Sequence, residues 1–287
     1  MEPLAPPADA FALLAAPVIA ESVVAASRTE GNARLRFAVA QALVQGRIAF
    51  HYQPVVSAIR PDRPAFYEML ARLRLPDGQL LAGAAFLPAV EAGPLGRAID
   101  RLALAAALEA LAADPLLRLS VNMSPRSMGD EGWLALIAAA ARGGSGVCGR
   151  LIIEITEEAA LVDAAQTVDF MNHVRTSGCA FALDDFGAGA TGFRHFRDFR
   201  FDMVKIDGSF ARGVHAQRDA QVLVECLAAV ARHFEMLTVA EHVECEADAR
   251  WLRDAGIDCF QGYLYGRPAA RPELAAAPAD AIRRRAG

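Results

Sequence analysis

The stretch AFALDDFG, residues 180–187, decides how this chain is read. Four apolar residues lead into Asp184 and Asp185, and a glycine-rich turn, GAGATG (187–192), follows at once. A short apolar run bounded by a turn signal fits a strand buried on both faces, as parallel sheets require. Two like charges at the end of such a strand leave two readings, a solvated turn or a held cation.

The same pattern recurs along the chain. Strand-length apolar runs stand at IAFHYQPVV (48–56), AFYEMLARL (65–73), RLSVNMS (118–124), LIIEITE (151–157), FDMVKID (201–207), LTVAEHV (237–243) and CFQGYLYG (259–266). Between them lie segments such as RAIDRLALAAALEALAA and AQVLVECLAAVARHF, with apolar residues at the three- and four-residue spacing of amphipathic helices. Alternating strands and helices imply a largely parallel sheet. Eight strand candidates fit an α/β fold of the (β/α)8 TIM-barrel type. A doubly wound open sheet is the alternative, weakened by the lack of a G-x-G-x-x-G after the first strand.

Each run carries its polar residues near its C-terminal end: Glu68, Asn122, Glu154 with Glu157, Asp184 with Asp185, Lys205 with Asp207, Glu241 with Glu244, and Gln261. In a parallel barrel those ends share one face, where barrel enzymes keep their chemistry. Acids that converge there need cations to stay ionised. The donors are carboxylates and one amide carbonyl, which favours Mg²⁺ or Mn²⁺ over Zn²⁺, and so many acids point to two metals. Lys205 is the single lysine beside 28 arginines. A compact ammonium, unlike a guanidinium fork, is evidently needed at that position.

Composition narrows the rest. The 287 residues make one large domain or two small ones, and 54% hydrophobic content supports a large core. A net charge of −5 without a basic patch excludes bulk nucleic-acid binding. Five scattered cysteines and six histidines show no metal-ligand spacing, so the thiols read as reduced groups of a cytoplasmic protein. Residues 11–25 are apolar but are broken by Pro17 and Glu21 and are too short to span a bilayer, so no membrane association is expected. Residues 1–33 read as a mobile arm or short helix, 34–270 as the barrel, and 271–287 as a tail or helix.

In this order, YEML, VNMS, EITE, DDFG, VKID, AEHVE and QGYLYG resemble the motifs of the EAL domain family. The resemblance implies a modified (β/α)8 barrel with an antiparallel first strand and hydrolysis of cyclic di-GMP to linear pGpG by a water activated between two metals, Mg²⁺ or Mn²⁺. It implies a first metal at Glu68, Asn122, Glu154 and Asp184, and a second at Asp184, Asp185 and Glu241. Lys205 would touch the attacking water, and Glu241 would serve as ligand, base or both. Gln53, Leu70, Arg72 and Gln261 would contact substrate. Glu157 would brace the loop after strand 180–187, and Asp207 and Glu244 would orient Lys205 and the metal ligands. A homodimer is also implied.

The chain departs from the family in two places. The loop usually written DFGTGYSSL reads DFGAGATGF, which keeps the glycines and loses side-chain donors. His242 replaces the glycine of AEGVE and can crowd the pocket. These departures leave a second expectation, an inactive barrel that serves as a cyclic di-GMP receptor or a protein-interaction module.

Overall fold

The computed structural model describes residues 30–144, 146–187 and 199–272. The altered loop at 188–193 therefore lies outside the described residues, as do most of the N-terminal arm and the C-terminal tail. The strands are β1 (Ile48–Ser57), β2 (Pro64–Arg74), β3 (Leu80–Ala82), β4 (Leu119–Asn122), β5 (Leu151–Thr156), β6 (Ala180–Phe186), β7 (Met203–Ile206), β8 (Leu237–Ala240) and β9 (Cys259–Gln261). They run in the order β1-β9-β8-β7-β6-β5-β4-β2-β3, and a further β1–β2 pairing closes the ring. That closure makes a barrel and excludes the open sheet.

β1 is antiparallel to both of its neighbours, while β2 and β4 to β9 pair in parallel. The expected (β/α)8 variant with a reversed first strand is therefore present. β3 extends the β1–β2 hairpin as a third, antiparallel strand. It was not legible in the sequence, because a three-residue, largely exposed strand is shorter than any periodic signal.

The longer helices are α1 (Glu30–Val44), α2 (Pro94–Ala113), α3 (Glu131–Arg142), α4 (Ala164–Arg175), α5 (Arg218–His233) and α6 (Glu246–Asp254). Their apolar faces pack on the outer side of the strands. Trp133 of α3, Phe170 of α4 and Phe181 of β6 form a chain of ring contacts at 5.5 and 6.0 Å. Each such buried side chain contributes on the order of 1.5–3 kcal/mol before entropy is counted.

Inside the barrel, Val55, Phe66, Ala182, Met203, Val239 and Cys259 form one apolar cluster, with Ile152 packed on it. Side chains two apart on a strand share a face. Two residues on from Phe66, Ile152, Ala182, Met203, Val239 and Cys259 stand Glu68, Glu154, Asp184, Lys205, Glu241 and Gln261. On reversed β1 the step runs backward, from Val55 to Gln53. The polar layer is thus the next side-chain layer above an apolar plug, at the end of the barrel where the parallel strands finish.

Candidate active site

Lys205 is the centre of this layer. Its Nζ lies 2.8 Å from Glu154 Oε2, 2.9 Å from Asp184 Oδ1, 2.9 Å from Glu241 Oε1 and 3.3 Å from Glu68 Oε2. All five residues are buried, Lys205 and Glu154 to 1% exposure. One ammonium faces four carboxylates. Glu68 is further held by Asn122, whose Nδ2 donates to Oε1 at 2.9 Å, and by Gln261, whose Nε2 donates to Oε2 at 2.5 Å.

The crowding divides the acids. Burial pushes the Glu68 carboxyl up, but Lys205 and the bonds from Gln261 and Asn122 outweigh it and hold the pKa below the ordinary value. Burial, with Glu68 and Asp184 nearby, drives Glu154 well above it. Burial and the charges of Asp184 and Glu68 raise Glu241 to about 8 against the pull of Lys205. Burial opposes the Lys205 charge, yet Asp184, Glu154, Glu241 and Glu68 together raise its pKa well above the ordinary lysine value. A carboxyl that titrates near neutrality is suited to proton transfer.

Backbone geometry brings Asp184 and Asp185 together. In a regular strand, consecutive side chains point to opposite faces. Here the β6–β7 register breaks between Leu183 and Phe186, and Asp185 takes a left-handed φ of 55°. The irregularity brings both aspartates to one side. Carboxylate oxygens of Asp184, Asp185 and Glu241 lie within 4.8 Å of one another. Burial and the Asp184 charge raise the pKa of the more exposed Asp185.

These residues fit divalent cations. Glu154 Oε1, Asp184 Oδ1 and Gln261 Oε1 are buried and accept no hydrogen bond. Asp184 Oδ1 is close to the Lys205 ammonium without the alignment of a bond. Unpartnered buried acceptors are costly, and a hard, oxygen-seeking ion satisfies them.

The rim is built from β1, β2 and the segment after β9. Glu68, Leu70 and Arg72 alternate along β2 and share a face, with Leu70 and Arg72 partly exposed. Arg72 Nη1 donates to the Ala71 carbonyl at 2.9 Å. Gln53 lies opposite Glu68 across the β1–β2 pair, and its Nε2 donates to the Gly266 carbonyl at 3.3 Å. Gln261 is fixed partly by Gly262, where a Cβ would stand 2.6 Å from the carbonyl carbon of Val243. Arg267 stacks over the exposed Tyr263 ring at 3.9 Å, a pair the sequence did not single out.

Three expectations need correction. Glu68 is not at the end of its strand: it stands fifth in the eleven-residue β2, which runs on to pair with β3. Asp207 does not touch Lys205; it accepts from Ser209 N at 2.9 Å and caps the short helix Gly208–Ala211. Glu244 is at the surface, 3.8 Å from Arg212, so it does not orient the ligands directly. Glu157 opens the short helix Glu157–Val162, while the loop it was expected to brace lies outside the described residues. His242 is exposed, with its side chain over Gly208.

The sequence also missed Asp100 of α2. Its Oδ2 accepts from Ser124 N, Ser124 Oγ and Ser127 Oγ at 3.0, 2.6 and 2.6 Å. It thereby anchors the loop that begins just after Asn122. The sequence did not set Asp100 apart from the other charged residues of this helix, Arg97, Arg101 and Glu109.

The EAL domain family profile matches residues 36–268. The chain belongs to the EAL domain family. It is 31% identical over 234 residues to the cyclic di-GMP phosphodiesterase PdeB of Shewanella oneidensis, covering 80% of this chain and 27% of that protein. Among solved EAL structures, the PaMucR phosphodiesterase in complex with c-di-GMP superposes with a TM-score of 0.75 at 27% identity, covering 87% of this chain and 99% of that one. The FimX EAL domain of Pseudomonas aeruginosa bound to c-di-GMP gives 0.77 at 26% identity, covering 84% and 98%. The chain thus spans about a quarter of that curated relative but nearly all of these two EAL structures. No helix among the described residues is long and apolar enough to cross a membrane.

Proposed function

We propose that this EAL barrel hydrolyses cyclic di-GMP to linear pGpG. The observation that carries the reading is the buried set of four carboxylates around one ammonium, with acceptors left unpartnered. Two Mg²⁺ or Mn²⁺ ions, one at Glu68, Asn122, Glu154 and Asp184 and one at Asp184, Asp185 and Glu241, would neutralise the phosphodiester and acidify the attacking water.

The chain's own groups do the rest. Lys205 holds the attacking water by donating to its oxygen, and its charge favours the hydroxide form. Glu241, whose ionised form the bound cations and Lys205 would favour, is the carboxylate placed to accept a proton from that water. Asp185 holds its carboxylate beside Asp184 at the mouth of the site. Arg72 pairs with a substrate phosphate, Leu70 packs against the ligand, and Gln53 and Gln261 hydrogen-bond to it. The implied homodimer belongs to the same reading, and sedimentation of the purified chain checks it.

The test is turnover. Purified protein with cyclic di-GMP and Mg²⁺ or Mn²⁺ should yield pGpG, EDTA should abolish the product, and Lys205→Ala should nearly do so. Tight binding without turnover in either metal would overturn the hydrolase reading and establish the receptor.

A further inference from the structure

A second cluster of metal-type donors lies outside the carboxylate layer. His215 sits in the turn that follows helix Gly208–Ala211, and Cys245 and Asp248 open α6. Thirty residues separate His215 from Cys245 in sequence, so no spacing rule finds them. In the fold, His215 Nδ1 is 2.7 Å from Asp248 Oδ1, and the Cys245 thiol donates to Asp248 Oδ2 at 3.2 Å. One ligand atom from each of the three residues lies within 4.8 Å of the others.

The carboxylate is well prepared. Gly213 N and His215 N donate to Asp248 at 3.0 and 3.1 Å, which fixes its orientation. Burial pushes its pKa up, but the bonds from His215, Cys245 and Gly213 outweigh this and hold it below the ordinary value. Asp248 is itself 5% exposed, whereas the His215 side chain is 43% exposed, so the cluster is open to solvent on one side.

Helix capping does not explain the thiol. Cys245 occupies the N-cap of α6, where Ser, Thr, Asn or Asp would bond to the helix backbone. Its side chain makes no such bond. It is turned instead toward the carboxylate that the imidazole also faces.

We infer that His215, Cys245 and Asp248 form a binding site for a borderline-soft divalent cation of the Zn²⁺ class. One sulfur, one imidazole nitrogen and one carboxylate oxygen, with water in the fourth position, make a tetrahedral donor set for that class. The present hydrogen bonds are shorter than the roughly 3.3–3.6 Å edge of such a tetrahedron, so the side chains open by about half an ångström. The proton balance is simple. The thiol releases one proton to solvent, and the neutral imidazole moves its proton to Nε2 so that Nδ1 can ligate. Thiolate and carboxylate together match the charge of the cation. The bound ion ties the connection after β7, the Lys205 strand, to the helix that follows Glu241.

Co²⁺ titration tests the site, with the Asp184→Asn variant used to weaken metal binding at the barrel mouth. A sulfur-to-cobalt charge-transfer band should appear, Zn²⁺ should displace it, and Zn²⁺ should raise the melting temperature of the same variant. Adding Cys245→Ser or His215→Ala should remove the band, and the unchanged circular dichroism of each variant would show that it folds. Absence of the band in the Asp184→Asn protein overturns the inference. So does a band that survives Cys245→Ser, since it would come from another thiol such as the exposed Cys226.

Discussion

Asp100 and Glu154 both carry carboxyls whose pKa is raised first of all by burial, yet the protein treats them differently. Three neutral donors converge on one oxygen of Asp100. Glu154 has one donor, the Lys205 ammonium, which it shares with three other acids, and its second oxygen has none. Neutral donors that meet a carboxylate close a structural knot and ask for nothing more. A lone ammonium among four carboxylates leaves charge and lone pairs over, and a site so unfinished can receive cations.

The largest effect should come from the ammonium. Lys205→Ala is expected to lower turnover of cyclic di-GMP by about 10²–10⁴-fold, the range for loss of a positioned proton-transfer group. Binding of the nucleotide in Ca²⁺ or Mg²⁺, measured by calorimetry, should change far less. Turnover within tenfold of the parent would mean that Lys205 only holds its carboxylates in place, as the serines hold Asp100.

Asp100→Ala should act in the opposite sense. It removes the acceptor of three bonds and should cost about 1–3 kcal/mol of stability in a urea titration. Turnover at saturating metal should fall only as far as Asn122 is displaced. An Asp100→Ala protein of full stability and no activity would break the distinction between the two carboxylates.

The pH dependence of stability sharpens it. Glu241 titrates at about 8 in the folded protein, above its ordinary 4.5. Between those values the folded chain binds more protons than the unfolded one, so stability falls as pH rises. The contribution is fully present below 4.5 and is lost as pH passes 8. In EDTA the melting temperature should therefore decline over this window, and Glu241→Gln should flatten the decline. An unchanged slope in that variant would assign the effect to another acid.

The fold was largely legible because strand period and layer order are both written in the sequence. Glu68, Glu154, Asp184, Lys205, Glu241 and Gln261 each follow an apolar barrel residue by two positions, and that register reads directly as one layer above another; Asn122, which follows Ser120, is the exception. The reach of β2 was legible in AFYEMLARL (65–73), close to the observed Pro64–Arg74, but its pairing with the three-residue β3 was not, and Glu68 was placed nearer the strand end than it stands. The candidate site was legible as a list of residues but not as a geometry. Asp184 and Asp185 face the same way only because of a register break and a positive φ, which DDFG does not reveal. Asp207 and Glu244 were misplaced because an acid near a strand end can equally cap a turn or face solvent, and only tertiary contacts decide.

His242 offers the smallest and cleanest test, because it lies at the boundary between site and scaffold. It follows Glu241 directly, yet its backbone has a φ of 53°, a region that glycine occupies freely. Its side chain is laid on Gly208, where an added Cβ would stand 2.6 Å from the His242 Cβ. Gly208→Ala should therefore cost about 1–3 kcal/mol through overpacking. His242→Gly should by itself shift stability by no more than about 1 kcal/mol, because relief of the left-handed strain is offset by the entropy of glycine. Together the two should couple: in the His242→Gly background, Gly208→Ala should become nearly neutral. An equal cost in both backgrounds would show that the Gly208 turn is held by Asp207 alone, and that His242 rests on it without shaping it.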